Sequence, residues 1–278
     1  MTSTQIAKSD LTAAYAAIKG QSIPSIPQTL MSLQQELSGA EPDQSKVISL
    51  ISEDISLSGK VLQSINSAAY GLKHKVSSID HAAALLGIRN LRDTIVSSAL
   101  RLALEKSLPG FESITDFSNQ IGLAARFIAK EINLDDPEAA FIVGLFHKAG
   151  TMMLMQKSPE YQAIYEQYHT RPVDLVAQEK QIFNTSYPLV SFILAHHWKL
   201  PETVTEAVAF HLSPIDEIQN KDVANLVATF QVAAHILLKD EEGFDNSAFY
   251  TISKSSINAL NISDETLSRV YTSVFADE

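Results

Sequence analysis

The sequence predicts an all-α protein, a bundle of many helices, and three observations predict it. Apolar residues recur at spacings of three and four almost everywhere, while alternation at two over strand length is hard to find. Proline, glycine and short polar caps punctuate these segments at helix-length intervals. The composition supplies the core: 278 residues, 45% of them hydrophobic, at a mean hydropathy of +0.03, suffice for one large domain or two small ones.

The elements follow in order. Residues 1–21 read as a helical N-terminal extension. In EPDQSKVISLISED, Val47, Leu50 and Ile51 share one face after Pro42 and the candidate cap Asp43. In ISLSGKVLQSINSAAYG, Leu57, Val61, Ile65 and Ala68 keep the helical repeat, with Gly71 as the stop. SSIDHAAALLG opens with Ser77 three residues before Asp80, a capping-box arrangement, and ends on Gly87. IRNLRDTIVSSALRLALEK carries Leu91, Ile95, Ala99 and Leu102 until SLPG breaks it. FSNQIGLAARFIAKEIN follows, then DPEAAFIVGLFHKAGTMMLMQK, read as one helix with Asp136 as cap and Pro137 at its first position. That helix is apolar nearly all round, so it is expected to run through the centre of the bundle. SPEYQAIYEQYH repeats the Ser-Pro-Glu start, PVDLVAQEKQIF comes next, and Pro201 separates PLVSFILAHHWKL from PETVTEAVAFHL. KDVANLVATFQVAAHILLKDEEG and two short amphipathic segments complete the chain. There is no repeat of fixed period and no low-complexity linker, and a boundary is expected near SLPGFES, residues 107–113.

Charge and composition exclude several classes. With 21 basic against 32 acidic residues the net charge is −11, and no Lys/Arg cluster offers a phosphate backbone a landing place, so no nucleic-acid partner is expected. The absence of cysteine removes disulfides, thiolate ligands and thiol nucleophiles. The first twenty residues lack a signal-peptide core and no run approaches a membrane span, so the expectation is a cytoplasmic protein without a membrane partner. No GxxxxGK[ST], GxGxxG or GxSxG motif occurs.

The candidate chemistry lies in the histidines. His147 sits in FIVGLFHKAG with Gly144 and Gly150 about one turn away, which leaves room beside the ring. A lone histidine in such a segment reads first as a core residue bonded to a carbonyl or hydroxyl. Lys148 makes a metal site harder, because an ammonium beside a divalent cation is repulsive and is no ligand while protonated. His196 and His197 are adjacent and point about 100° apart on a helix, so at most one faces inward. No HExxH occurs, and no set of ExxH motifs of the kind that converges from several helices on a metal. Asp43, Glu53, Asp54, Asp135, Asp136 and Glu138 sit at apparent helix ends, where capping and the helix dipole account for them. Trp198 reads as a buried aromatic anchor before the turn at Pro201.

IPSIPQTL (23–30), ISEDISLSGKVLQSINSAAYG (51–71), SSIDHAAALLGIRNLRDTIV (77–96), GLFHKAG (144–150) and AHHWKLPETVTEAVAFH (195–211), in that order, resemble the HDOD domain. That family is an offshoot of the HD-type metal-dependent phosphohydrolases and is regarded as a signalling output module. The resemblance implies an HD-like core with an N-terminal helical subdomain, over residues 22–214. It divides into halves at 22–107 and 108–214, with C-terminal helices at 215–278 packing on the core.

Carried over residue by residue, the resemblance puts His147 at the histidine of the catalytic relatives' His-Asp pair, with Lys148 in place of the aspartate. The first family histidine belongs in DFSNQI, which contains none. A later pattern of glutamate, glycine, histidine and glycine reads here as Glu179, Asn184, Tyr187 and Ser191, and the glycines that favour close helix approach are gone. His211 matches the first of a His-His pair whose second member is Leu212, and the final aspartate falls near Gln231. DI at 54–55 stands where DP is usual, keeping Asp54 as a cap. Two imidazoles without a carboxylate are too few to hold a hydrolytic metal and activate its water, so no metal, cofactor or catalytic residue is expected.

The expected function is a non-enzymatic regulatory or adaptor module of bacterial signal transduction, contacting signalling proteins in trans. His147, Lys148, Glu179, Tyr187 and His211 would line a remnant pocket, open to a small anionic ligand or nucleotide. The rival is a divergent phosphohydrolase using His147, His211 and Glu179, with His196 or His197. Asn66, Ser67, Trp198 and Pro201 carry family motifs, and for Asn66 and Ser67 the plainer reading is bonding to nearby backbone at a helix end.

Overall fold

The computed structural model describes residues 6–37, 42–66, 72, 74–239, 241, 244, 245 and 247–275, and the described residues contain helices and no strand. The helices are α1 Lys8–Ala17, α2 Gln28–Leu37, α3 Gln44–Ser52, α4 Ile55–Ile65, α5 Ile79–Leu86, α6 Ile88–Ser107, α7 Glu112–Glu131 and α8 Pro137–Phe146. They continue as α9 Ala149–Lys157, α10 Tyr161–Tyr168, α11 Pro172–Phe183, α12 Tyr187–His197, α13 Glu202–Phe210, α14 Lys221–Leu238, α15 Ala248–Ala259 and α16 Asp264–Phe275.

Two compact units emerge. One comprises residues up to Pro24 together with Phe111–Thr272, and the other centres on Ser25–Gly110. In the smaller unit α6 packs on α2 and α4, and α3 and α5 close the group. Asp43 and Asp54 cap α3 and α4, accepting from Lys46 N–H at 3.2 Å and Leu57 N–H at 3.1 Å. The cap of α5 is Ser78, which accepts from the His81 N–H at 3.1 Å, one residue later than the capping box at Ser77. Asn66 ends α4 and its amide holds Val76 from both sides, donating to its carbonyl at 2.8 Å and accepting from its N–H at 2.7 Å. Ser67, Ala68 and the stop at Gly71 lie outside the described residues.

In the larger unit, α7 and α8 form the tightest pair. A Cβ on Gly144 would lie 2.5 Å from the Cα of Gly122, so this approach requires glycine on both helices. α12 lies on α9 and α13, α14 covers α7, α8 and α13, α15 backs α14, and α1 packs on α12 and α11 within the same unit. Trp198 closes the end of α12: its ring meets Phe146 edge-on at 5.4 Å and its indole N–H donates to the Pro24 carbonyl at 2.7 Å. Pro201 follows as the N-terminal flank of α13.

Three local expectations change. Residues 137–157 are two helices, with Asp136 capping the first through the Ala139 N–H at 3.0 Å and a break at His147–Lys148. The Ser191 hydroxyl services that break, donating to the His147 carbonyl and accepting from the Gly150 N–H, each at 2.8 Å. The Ser-Pro-Glu segment does not cap α10; Ser158 bonds the Glu160 side chain instead. Glu138 is more than a helix-end charge, because it is buried and pairs with Arg126 at 3.4 Å.

Candidate functional site

The larger unit brings His147, Lys148, Glu179, Tyr187 and His211 together in its core. The break between α8 and α9 presents His147 and Lys148, α11 supplies Glu179, the first turn of α12 supplies Tyr187, and the residue after α13 is His211. Asn184 ends α11 with φ of 54°, adopting the left-handed backbone that favours glycine, so α12 can start only a few residues later. Ser191 likewise leaves the helices close: a Cβ on Gly150 would lie 2.6 Å from the Ser191 nitrogen and 2.2 Å from the Tyr187 carbonyl oxygen. The close approach that the missing glycines left without support is therefore kept, with the serine hydroxyl bonding across it.

Each imidazole is fixed by its own helix end. His147 Nδ1 donates to the Gly144 carbonyl at 2.5 Å and His211 Nδ1 to the Val208 carbonyl at 2.7 Å, and in the neutral rings that burial favours this leaves Nε2 as acceptor. The Tyr187 hydroxyl donates to His211 Nε2 at 3.0 Å. The ring centroids of the histidines are 5.5 Å apart, and Phe230 lies 4.9 Å from one and 4.8 Å from the other. Phe117, from the DFSNQI segment, stands 6.4 Å from His147. Gln231, near the position of the family's final aspartate, turns its amide to the carbonyls of His211 at 3.1 Å and Ser213 at 2.8 Å.

Lys148 is 2% exposed and its ammonium lies 4.4 Å over the Tyr187 ring and 5.3 Å over Tyr165. Glu179 is fully buried, accepting from the Tyr161 hydroxyl and from the Tyr187 N–H at 2.8 Å. Burial dominates every titration here. It pushes His211 down to about 3, and it pushes His147 well below its usual range with help from the charges of His211 and Lys148. It lowers Lys148 against the attraction of Glu179, and raises Glu179 against the bonds from Tyr161 and Tyr187 and the charge of Lys148.

These residues do not fit a hydrolytic metal. Both nitrogens of His211 and one of His147 are committed, an ammonium takes the place of a carboxylate, and an aromatic ring abuts both imidazoles. Among the described residues no group of three or more histidines and carboxylates is placed to hold an ion. The cavity remaining among His147, Lys148, Tyr187, Phe117, Phe230 and Leu212 is about 10 Å³, room for about one water. His196 and His197 are both exposed and take no part. Phe117, Tyr161, Tyr165 and Phe230 were not singled out by the sequence; the one hint was that Phe117 falls in the segment lacking its histidine and Phe230 beside Gln231.

An all-helical fold around a filled HD-type site defines a class, the degenerate relatives of the HD phosphohydrolases. The HDOD domain pattern matches residues 23–214, and the chain belongs to the HDOD domain family. An HDOD domain protein of unknown function from Geobacter sulfurreducens is similar with a TM-score of 0.71 at 21% identity, over 96% of this chain and 97% of that one. A protein from Shewanella amazonensis SB2B, described as a candidate phosphohydrolase, gives 0.70 at 21% identity over 94% and 95%. An uncharacterised protein from Treponema pallidum is 24% identical over 72% of this chain, which spans 39% of that protein's length. At such identities the structural likenesses establish the fold. Among the described residues no helix is long and apolar enough to cross a membrane.

Proposed function

We propose that this chain is a non-enzymatic regulatory module of signal transduction, acting through contacts with signalling proteins, in which the HD-type site has become packed core. One observation carries the reading: Lys148 and Tyr187 occupy the chemistry a metal would need, the first with an ammonium in place of a carboxylate, the second by taking His211 Nε2. Family membership supports it, since the HDOD family is regarded as a signalling output module. The reading implies a cytosolic setting, which fractionation checks. The test is metal content of the full chain purified without chelator or affinity metal, beside His147→Ala, with phosphomonoesters and cyclic nucleotides offered in Mn²⁺ or Mg²⁺. The expected result is no stoichiometric metal and no turnover. Bound metal and hydrolysis that both disappear in His147→Ala would overturn the reading in favour of the phosphohydrolase.

A further inference from the structure

We propose that the small cavity beside Lys148 binds one monovalent anion of about the size of chloride, held by the Lys148 ammonium. The inference deepens the reading above and rests on it, because it requires that no metal occupies this place. An ammonium carries three N–H donors, and a buried donor left without an acceptor is costly. Among the described residues Lys148 Nζ has no hydrogen-bond partner. The groups it faces are the π-faces of Tyr187 and Tyr165, which attract its charge but accept no ordinary hydrogen bond.

The nearest counter-charge does not serve the donors either. Glu179 interacts with Lys148 through space, yet its two oxygens are turned to the Tyr161 hydroxyl and the Tyr187 N–H, and it accepts no hydrogen bond from Nζ. Lys148 therefore lines the cavity of about 10 Å³ with its donors open. That volume decides the ligand class: it takes a single water-sized particle and excludes phosphate esters and nucleotides. The remaining walls are mostly apolar, with Phe117, Leu212 and Phe230 among them, and His147 also lines the cavity, so a single ordered water between Nζ and that ring is the competing occupant. A halide needs only donors, and aromatic edges carry partial positive charge.

The test is thermal unfolding of the full chain at constant ionic strength after chelator treatment, with chloride or bromide exchanged for gluconate, which is too large for the cavity. A Tm that rises saturably with halide, and no longer does so in Lys148→Met, is expected. Equal Tm in halide and gluconate means an ordered water only and overturns the proposal, as does a halide response that persists in Lys148→Met. Should Lys148→Met not fold, crystals of the wild-type chain grown in bromide decide: an anomalous peak within hydrogen-bond reach of Nζ is expected, and its absence there overturns the proposal. A resident metal, which would defeat the non-enzymatic reading, shows separately as a drop in Tm on chelation.

Discussion

The Tyr187 hydroxyl and the His211 Nε2 are joined at 3.0 Å, so the nitrogen that could face a metal is satisfied by a neighbour in the same core. Removing that hydroxyl strands a fully buried acceptor. Tyr187→Phe is expected to cost about 1–3 kcal/mol, read from the urea midpoint. An unchanged midpoint would mean the bond contributes nothing to holding α12 against α13.

Lys148 and Glu179 are buried opposite charges without direct contact. Glu179→Gln alone leaves an uncompensated ammonium and is expected to lose about 3 kcal/mol. Lys148→Met/Glu179→Gln should recover much of that loss. Strict additivity in the double-mutant cycle would show that the two charges do not sense each other.

The histidines fix the sign of the acid response. His211 has its pKa depressed to about 3 from 6.5, and His147 is depressed too, so below pH 6.5 the unfolded chain binds protons that the folded chain refuses. The histidine contribution is full above 6.5 and is lost as pH falls toward 3. Glu179, raised above 4.5, opposes this with one proton, so between pH 4.5 and 6.5 the two histidines outweigh it. Denaturation curves across that range should show stability rising with pH, and a variant with both His147 and His211 replaced by glutamine should flatten the slope.

Two glycines separate packing from propensity. Gly150→Ala sets a methyl against backbone of Tyr187 and Ser191 and is expected to cost about 3 kcal/mol. Gly59→Ala, in the exposed middle of α4 with nothing within 4 Å of the added carbon, should raise stability by about 0.5–1 kcal/mol. Similar effects at both positions in thermal melts would contradict the packing described for Gly150.

Local chemistry was legible where it is written locally. Asp43, Asp54 and Asp136 cap their helices because a carboxylate just before a helical segment finds free N–H groups within three residues. Trp198 is the buried anchor that its place before the turn at Pro201 implies. The break at His147–Lys148 was not legible, because the helical apolar pattern continues on both sides of it without a proline, and the hydroxyl that stabilises the break belongs to Ser191, 41 residues beyond Gly150. The same holds for Phe117 and Phe230. Their rings meet the histidines across helices, and in sequence a phenylalanine that packs on a buried histidine is indistinguishable from any other core phenylalanine.

The indole of Trp198, tied to Pro24, is the chain's single tryptophan and belongs to the larger unit. Its fluorescence therefore reports on that unit. Emission shifts during denaturation follow the melting of the histidine-bearing core, while far-ultraviolet circular dichroism sums both units. Any gap between the two curves measures directly how far the units have ceased to unfold as one.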